Sequence, residues 1–188
     1  MRAGGNALVA VCAALVIICA GTAYGVNASA KVPAIFSLAL DSSSVDFGSV
    51  KQGEWKEAPH PAHDYVNKVI CQTNTGLPWT LSIKADEPLW SESNILPLEN
   101  LKWMTTYAGN ILSSATYLDG LVYPPEEGFQ SFTASNVVIF RSSNASAMMS
   151  NNSLPGAEIQ FKYAIFIPDT IKVTPGSYST RVVYTMTE

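Results

Sequence analysis

The chain has 188 residues with a formal net charge of −4; 14% of its residues are charged and 47% are hydrophobic. An acidic balance without any cluster of Lys and Arg lacks the electrostatic footprint that nucleic acid requires, so no nucleic-acid partner is expected. Sparse charge beside abundant Ser, Thr and Asn is the surface composition of an exported β-protein.

The N-terminus agrees with export. Arg2 precedes an uncharged run from Ala7 to Ala20, and Ala28-Ser29-Ala30 supplies a small-x-small cleavage site, which together make residues 1–30 a secretory signal peptide. The run is short for a bilayer span, so membrane contact is expected only through this leader, whether cleaved or kept as an anchor. Cys12 and Cys19 follow Val11 and Ile18, where a lipid-attachment site would place a small residue. Cleavage after Ala30 leaves a single domain, residues 31–188, and moves the net charge to −5 because Arg2 is lost. That domain keeps Cys71 alone, which is read as a buried small hydrophobe or, alternatively, a partner in an intermolecular disulfide.

Short alternating segments separated by turn clusters predict an all-β fold, a single antiparallel immunoglobulin-like β-sandwich. Val32 to Leu40 places Val32, Ala34, Phe36, Leu38 and Leu40 on one face, with Pro33 at a sheet edge. After a turn at Asp41 to Ser44, Val45 to Val50 reads as the next strand. Lys51 to Asp64 is a loop with a short edge strand near Trp55, and Tyr65 to Thr73 is a strand without a legible facing. Asn74-Thr75-Gly76 then predicts a hairpin into Pro78 to Lys84.

In that last strand Trp79, Leu81 and Ile83 alternate with Thr80, Ser82 and Lys84, and burying the three apolar side chains is worth roughly 6 to 8 kcal/mol as an upper figure. A looser segment holding Trp90 and Pro97 follows. Leu101, Trp103, Thr105 and Tyr107 then share a face. Ala108 to Asn136 reads as a long connection, Asn136 to Arg141 as a short strand, and Ser142 to Pro155 as a polar loop containing Met148-Met149. Two strong strands finish the chain: Glu158 to Pro168, with Ile159, Phe161, Tyr163, Ile165 and Ile167 together, and Ser177 to Glu188, with Tyr178, Thr180, Val182, Tyr184 and Met186 together. Pro175-Gly176 turns between them.

Chemistry is scarce. His60 and His63 share one Pro-containing loop, with Glu57 or Asp64 as the only nearby third ligand. Pro61 works against the helix that usually presents such a pair, so a solvated loop and no metal are expected. The motifs of the common nucleophile, phosphate and dinucleotide sites are absent from the sequence. The carboxylate pairs Asp86-Glu87 and Glu126-Glu127 fall in turns. No catalytic residue and no cofactor are therefore expected, although two distant acids can converge to make a glycan-active enzyme. Trp79 and Trp103 fit alternating strands and belong to the core. Trp55 and Trp90 lie in irregular segments and are the candidates for a binding contact, with carbohydrate stacking as the chemistry.

Trp79-Thr80-Leu81 after a Thr-Gly turn resembles the first signature of WxL domains, the non-covalent cell-wall-binding modules of Gram-positive surface proteins. Val45-Asp46-Phe47-Gly48 resembles their opening strand, and Gly176 to Thr187 resembles their closing strand, with Tyr184-Thr185-Met186 in place of the second Trp-x-Leu. The resemblance implies a secreted, non-enzymatic sandwich at the cell surface or envelope whose partners are cell-wall polymer or other surface proteins. It makes Trp79, Leu81, Tyr184 and Met186 the signature residues. The same strand pattern also suits a fimbrial-type subunit that self-associates by strand exchange, with Val32 to Leu40 as the donated strand rather than an internal one.

Overall fold

The computed structural model describes residues 34–60, 63–92, 94–110, 120–142 and 156–188. The signal peptide expected at residues 1–30, Val32 and the Met148-Met149 pair lie outside the described residues. In chain order the strands are β1 (Phe36–Leu40), β2 (Trp55–Glu57), β3 (Asn67–Thr73), β4 (Trp79–Ala85), β5 (Leu89–Ser91), β6 (Asn94–Leu96), β7 (Leu101–Asn110), β8 (Gln130–Ser131), β9 (Val137–Ser142), β10 (Gly156–Phe166) and β11 (Val182–Thr187). The described helical elements include two short 3₁₀ turns, Leu98–Asn100 and Pro125–Glu127. None is long or apolar enough to cross a membrane.

The strands form an antiparallel sandwich. One sheet runs β1-β3-β10-β7-β8, with β2 also on β10; the other runs β11-β4-β9, and β5 and β6 make a separate two-stranded ribbon. β10 organises the larger sheet. Along one side it pairs with β7, and along the other it pairs first with β3 and then, through Ala164 to Phe166, with β2.

Alternation builds the core. β3 buries Asn67, Val69, Cys71 and Thr73, and β4 buries Trp79, Leu81, Ile83 and Ala85. Between them lie Ile159, Phe161, Tyr163 and Ile165 of β10, with Leu101 and Trp103 of β7. Trp79 is 1% exposed and its ring lies 5.1 Å from that of Phe140. Cys71 is a free, fully buried thiol whose pKa burial pushes up to about 12, consistent with a small hydrophobe.

Four sequence expectations are corrected. β3 and β4 are not a hairpin: they belong to opposite sheets, and Asn74 to Pro78 carries the chain across the sandwich through Gly76 at φ +76°. Each strand has a fully buried face, and stacking the two faces buries both, whereas pairing them edge to edge would put both faces on one side. Val45 to Val50 is not a strand, because the Asp46 carboxylate accepts the Gly48 N–H at 2.7 Å and Gly48 takes φ +62°, closing a local turn. Val45, Phe47 and Val50 still pack against the core.

Tyr107 does not share the face of Leu101, Trp103 and Thr105. Phe161 faces Thr105 and Gln160 faces Tyr107, so Thr106 is an extra residue, a β-bulge that turns Ala108 inward. The closing strand begins only at Val182. Before it, Ser179 leaves β4 and bridges to Trp90, each donating its N–H to the other's carbonyl.

Candidate functional site

The two sheets are joined by a polar contact within their apolar interior. Tyr163 of β10 and Tyr184 of β11 are hydroxyl-to-hydroxyl partners, and the Phe161 ring lies 5.4 Å from Tyr184. Burial pushes Tyr163 up to about 12 and holds Tyr184 well above the ordinary phenol value, so both stay protonated near neutral pH, one donating and the other accepting. Above them a cavity of about 440 Å³ is lined by Leu40, Phe47, Asn67, Tyr178 to Val182 and Tyr184. Neutral phenols at these pKa values are poor general bases, and the pair acts here as a satisfied structural link.

The predicted surface tryptophans are both exposed. Trp55 is 45% exposed and Trp90 40%. Their settings differ. Trp55 stands directly opposite Phe166 across the β2–β10 ladder, while Lys56 stands opposite the buried Ile165, so Trp55 and Phe166 point away from the core. Phe129 closes against Trp55 edge to face, with ring centroids 5.0 Å apart and planes at 76°, and Phe166 lies 6.5 Å away.

A designed-looking turn presents Phe129. The 3₁₀ turn at Pro125–Glu127 leads into Gly128 at φ +70°, and the Gln130 amide donates to the Glu127 carbonyl at 3.1 Å. The result is an aromatic ledge on the outer face of the larger sheet. Around it Glu57 and Lys102 both stand opposite Ala164, and the Lys102 ammonium donates to the Ser131 hydroxyl at 2.7 Å. Flat rings with hydrogen-bonding groups at their margin suit a partner that is apolar on one face and hydroxylated at its rim, which describes a pyranose.

Trp90 sits instead on the β5–β6 ribbon opposite Ile95, also exposed, and no ring contact joins it to Trp55 among the described residues. The signature residues are brought together differently. Leu81 and Met186 face each other across the β4–β11 ladder, Tyr184 faces Ile83, and Trp79 and Leu81 are buried. Trp79 and Leu81 are core, and Tyr184 and Met186 are partly buried against it.

The histidines belong to an excursion whose two ends are pinned to β10. Ala58 donates to the Tyr163 carbonyl at 2.9 Å and Val66 to the Phe161 carbonyl at 2.7 Å. His60 and His63 stack at 5.1 Å and both stack on Tyr65. The His60 Nδ1 accepts the His63 backbone N–H at 3.1 Å, which occupies one of its two ring nitrogens. No cluster of three or more His, Cys, Asp or Glu side chains suited to a metal occurs among the described residues.

Sequence reasoning singled out Trp55 but missed Phe129 and Phe166. One signal was available for Phe166: it is the single aromatic on the otherwise polar face of Glu158, Gln160 and Lys162. Nothing local marks Phe129, which reaches Trp55 only through the fold. A scan against protein-family models and a search of curated proteins each gave no match.

Proposed function

We propose that this chain is an exported, non-enzymatic envelope protein that attaches without a covalent bond to a polysaccharide of the cell wall, with the Trp55 ledge as its contact. The observation that carries the reading is the ledge itself: Trp55, Phe129 and Phe166 gathered outside the core, with Trp55 nearly half exposed. Clustered exposed aromatics cost solvation and are retained where something covers them. The expected leader at residues 1–30 supports export, and the Trp79-Thr80-Leu81 resemblance supports the wall as partner.

The experiment is sedimentation with purified, protein-free cell wall. The protein should pellet with the wall, be released by soluble wall glycan, and leave the glycan chain lengths unchanged. Protein that stays in the supernatant would refute wall attachment, and shortened glycan would replace it with an enzyme.

A further inference from the structure

Tyr107 faces outward only because of the Thr106 bulge. With that extra residue in β7, Tyr107 stands opposite Gln160 and Gly109 opposite Glu158 on the outer face of the larger sheet, while Ala108 turns into the core. The ring then lies down along the strand. A Cβ placed on Gly109 would meet the Tyr107 hydroxyl at 1.8 Å and its Cζ at 2.3 Å, so the ring fills the space that a side chain at 109 would need. Gly109 is buried beneath it and Tyr107 stays partly exposed, which is what a glycine under a close contact permits.

The margin of this ring is polar and fixed. The Gln160 amide donates to one oxygen of the Glu158 carboxylate at 2.8 Å, and the Lys68 ammonium lies 3.4 Å from the other. Gln160 stands between Tyr107 and Lys68, so ring and network share a row across β7, β10 and β3. The arrangement repeats that of the Trp55 ledge, a ring with hydrogen-bonding groups beside it. Both platforms lie on one face. Phe166 of the ledge and Gln160 both point outward from β10, six residues apart, which is ~20 Å along an extended strand. Trp55 stands on the β2 side of β10 and Tyr107 on the β7 side, so the line between them crosses β10 obliquely, past Lys162.

Charge narrows what can lie there. Lys68 pairs with Glu158 and Lys162 with Asp64, while Lys102 is held by the Ser131 hydroxyl and stands across Ala164 from Glu57. These cations and carboxylates cancel, so the face has no surplus positive charge for a phosphate-bearing or acidic polymer. We infer that a neutral glycan strand lies along this track, with one pyranose stacked at the Trp55 ledge and another, several rings further on, at Tyr107. The inference rests on the glycan reading of the ledge and adds the length and charge of what is bound. A short fragment binds through one platform, whereas a chain that reaches both makes its second contact within an already bound molecule.

The probe is neutral glycan released from purified wall and sorted into disaccharides and chains of about eight or more rings, long enough to cover the ~20 Å span. Each fraction competes with sedimentation of the full chain onto wall. Per ring, the long fraction should release the wild type at least tenfold more efficiently, because both platforms engage one chain. Release should change less than about twofold between about 0.05 M and about 0.5 M NaCl, since no net charge is matched. Tyr107→Ala, and Gly109→Ala, which lifts the ring off the strand, should each bring the two fractions to within about threefold of one another. Should either variant fold poorly by its urea midpoint, nitration of Tyr107 in the wild type by tetranitromethane, mapped by mass spectrometry, makes the same test. The long fraction should slow it, and disaccharide at the same ring concentration should not. A wild type that pellets through Trp55 but is released equally by both fractions, variants that keep the full length preference, or unslowed nitration of Tyr107 overturns the track and leaves the ledge standing. A wild type that never pellets overturns both.

Discussion

Trp79 is, with Trp103, among the largest fully buried side chains, and its ring packs on Phe140 in an interior that leaves it 1% exposed. Trp79→Ala should therefore lower stability by roughly 3 to 5 kcal/mol, read from urea unfolding midpoints. A midpoint that barely moved would contradict its place in the core. The buried phenols make a second prediction. Tyr163 titrates at about 12 in the folded state against about 10 when unfolded, so between those values the unfolded chain holds fewer protons and stability falls as pH rises. The contribution is complete below pH ~10 and is lost through pH ~12, at about 1.4 kcal/mol per pH unit for each such group. Tyr184→Phe removes one of the two raised phenols, and its alkaline loss should be shallower than that of the wild type. The inward facing of both tyrosines was legible from alternation in their strands. Their pairing was not, because period 2 states which face a residue occupies and nothing about which sheet stands opposite.

At the level of elements, alternation located β4, β7, β9 and β10 well and misjudged how they connect. β3 and β4 read as a hairpin because a short turn joins two apolar runs, but each run buries a full face and so they stack. The Thr106 bulge was equally hidden, since an inserted residue shifts facing without changing composition. Val45 to Val50 shows the converse: its apolar residues do reach the core, while Asp46 and Gly48 hold the backbone out of a ladder. β1 is an internal strand over Phe36–Leu40, clipped at its ends where Lys68 donates to the Asp41 carboxylate at 2.7 Å and Ile35 to the Asn74 side chain at 2.6 Å. Deleting residues 34–40 should destabilise the chain by at least ~2 kcal/mol, the scale of one large buried side chain, because it strips β3 of its edge partner and opens the flank beside Val69 and Cys71. Thiol labelling mapped to Cys71 would report this: slow in the wild type and fast in the deletion. A deletion that kept Cys71 protected would mean that β1 covers nothing.

For the molecule as a whole, the sandwich class was readable and the site only partly so. Trp55 could be singled out because it lies where alternation fails, but its ledge is assembled from β2, β10 and the turn before β8, three places distant in sequence. The resemblance through Trp79, Leu81, Tyr184 and Met186 marks packing residues, so it speaks to the fold and leaves the contact surface to be found in three dimensions. The most direct measurement is wall sedimentation across a protein titration with wild type, Trp55→Ala and Trp90→Ala in parallel. Trp55→Ala should lose at least tenfold in apparent affinity while its unfolding free energy changes by less than about 1 kcal/mol, as expected for an exposed side chain, and Trp90→Ala should pellet like the wild type. Undiminished pelleting of Trp55→Ala, or a wild-type chain that never pellets, would contradict the account.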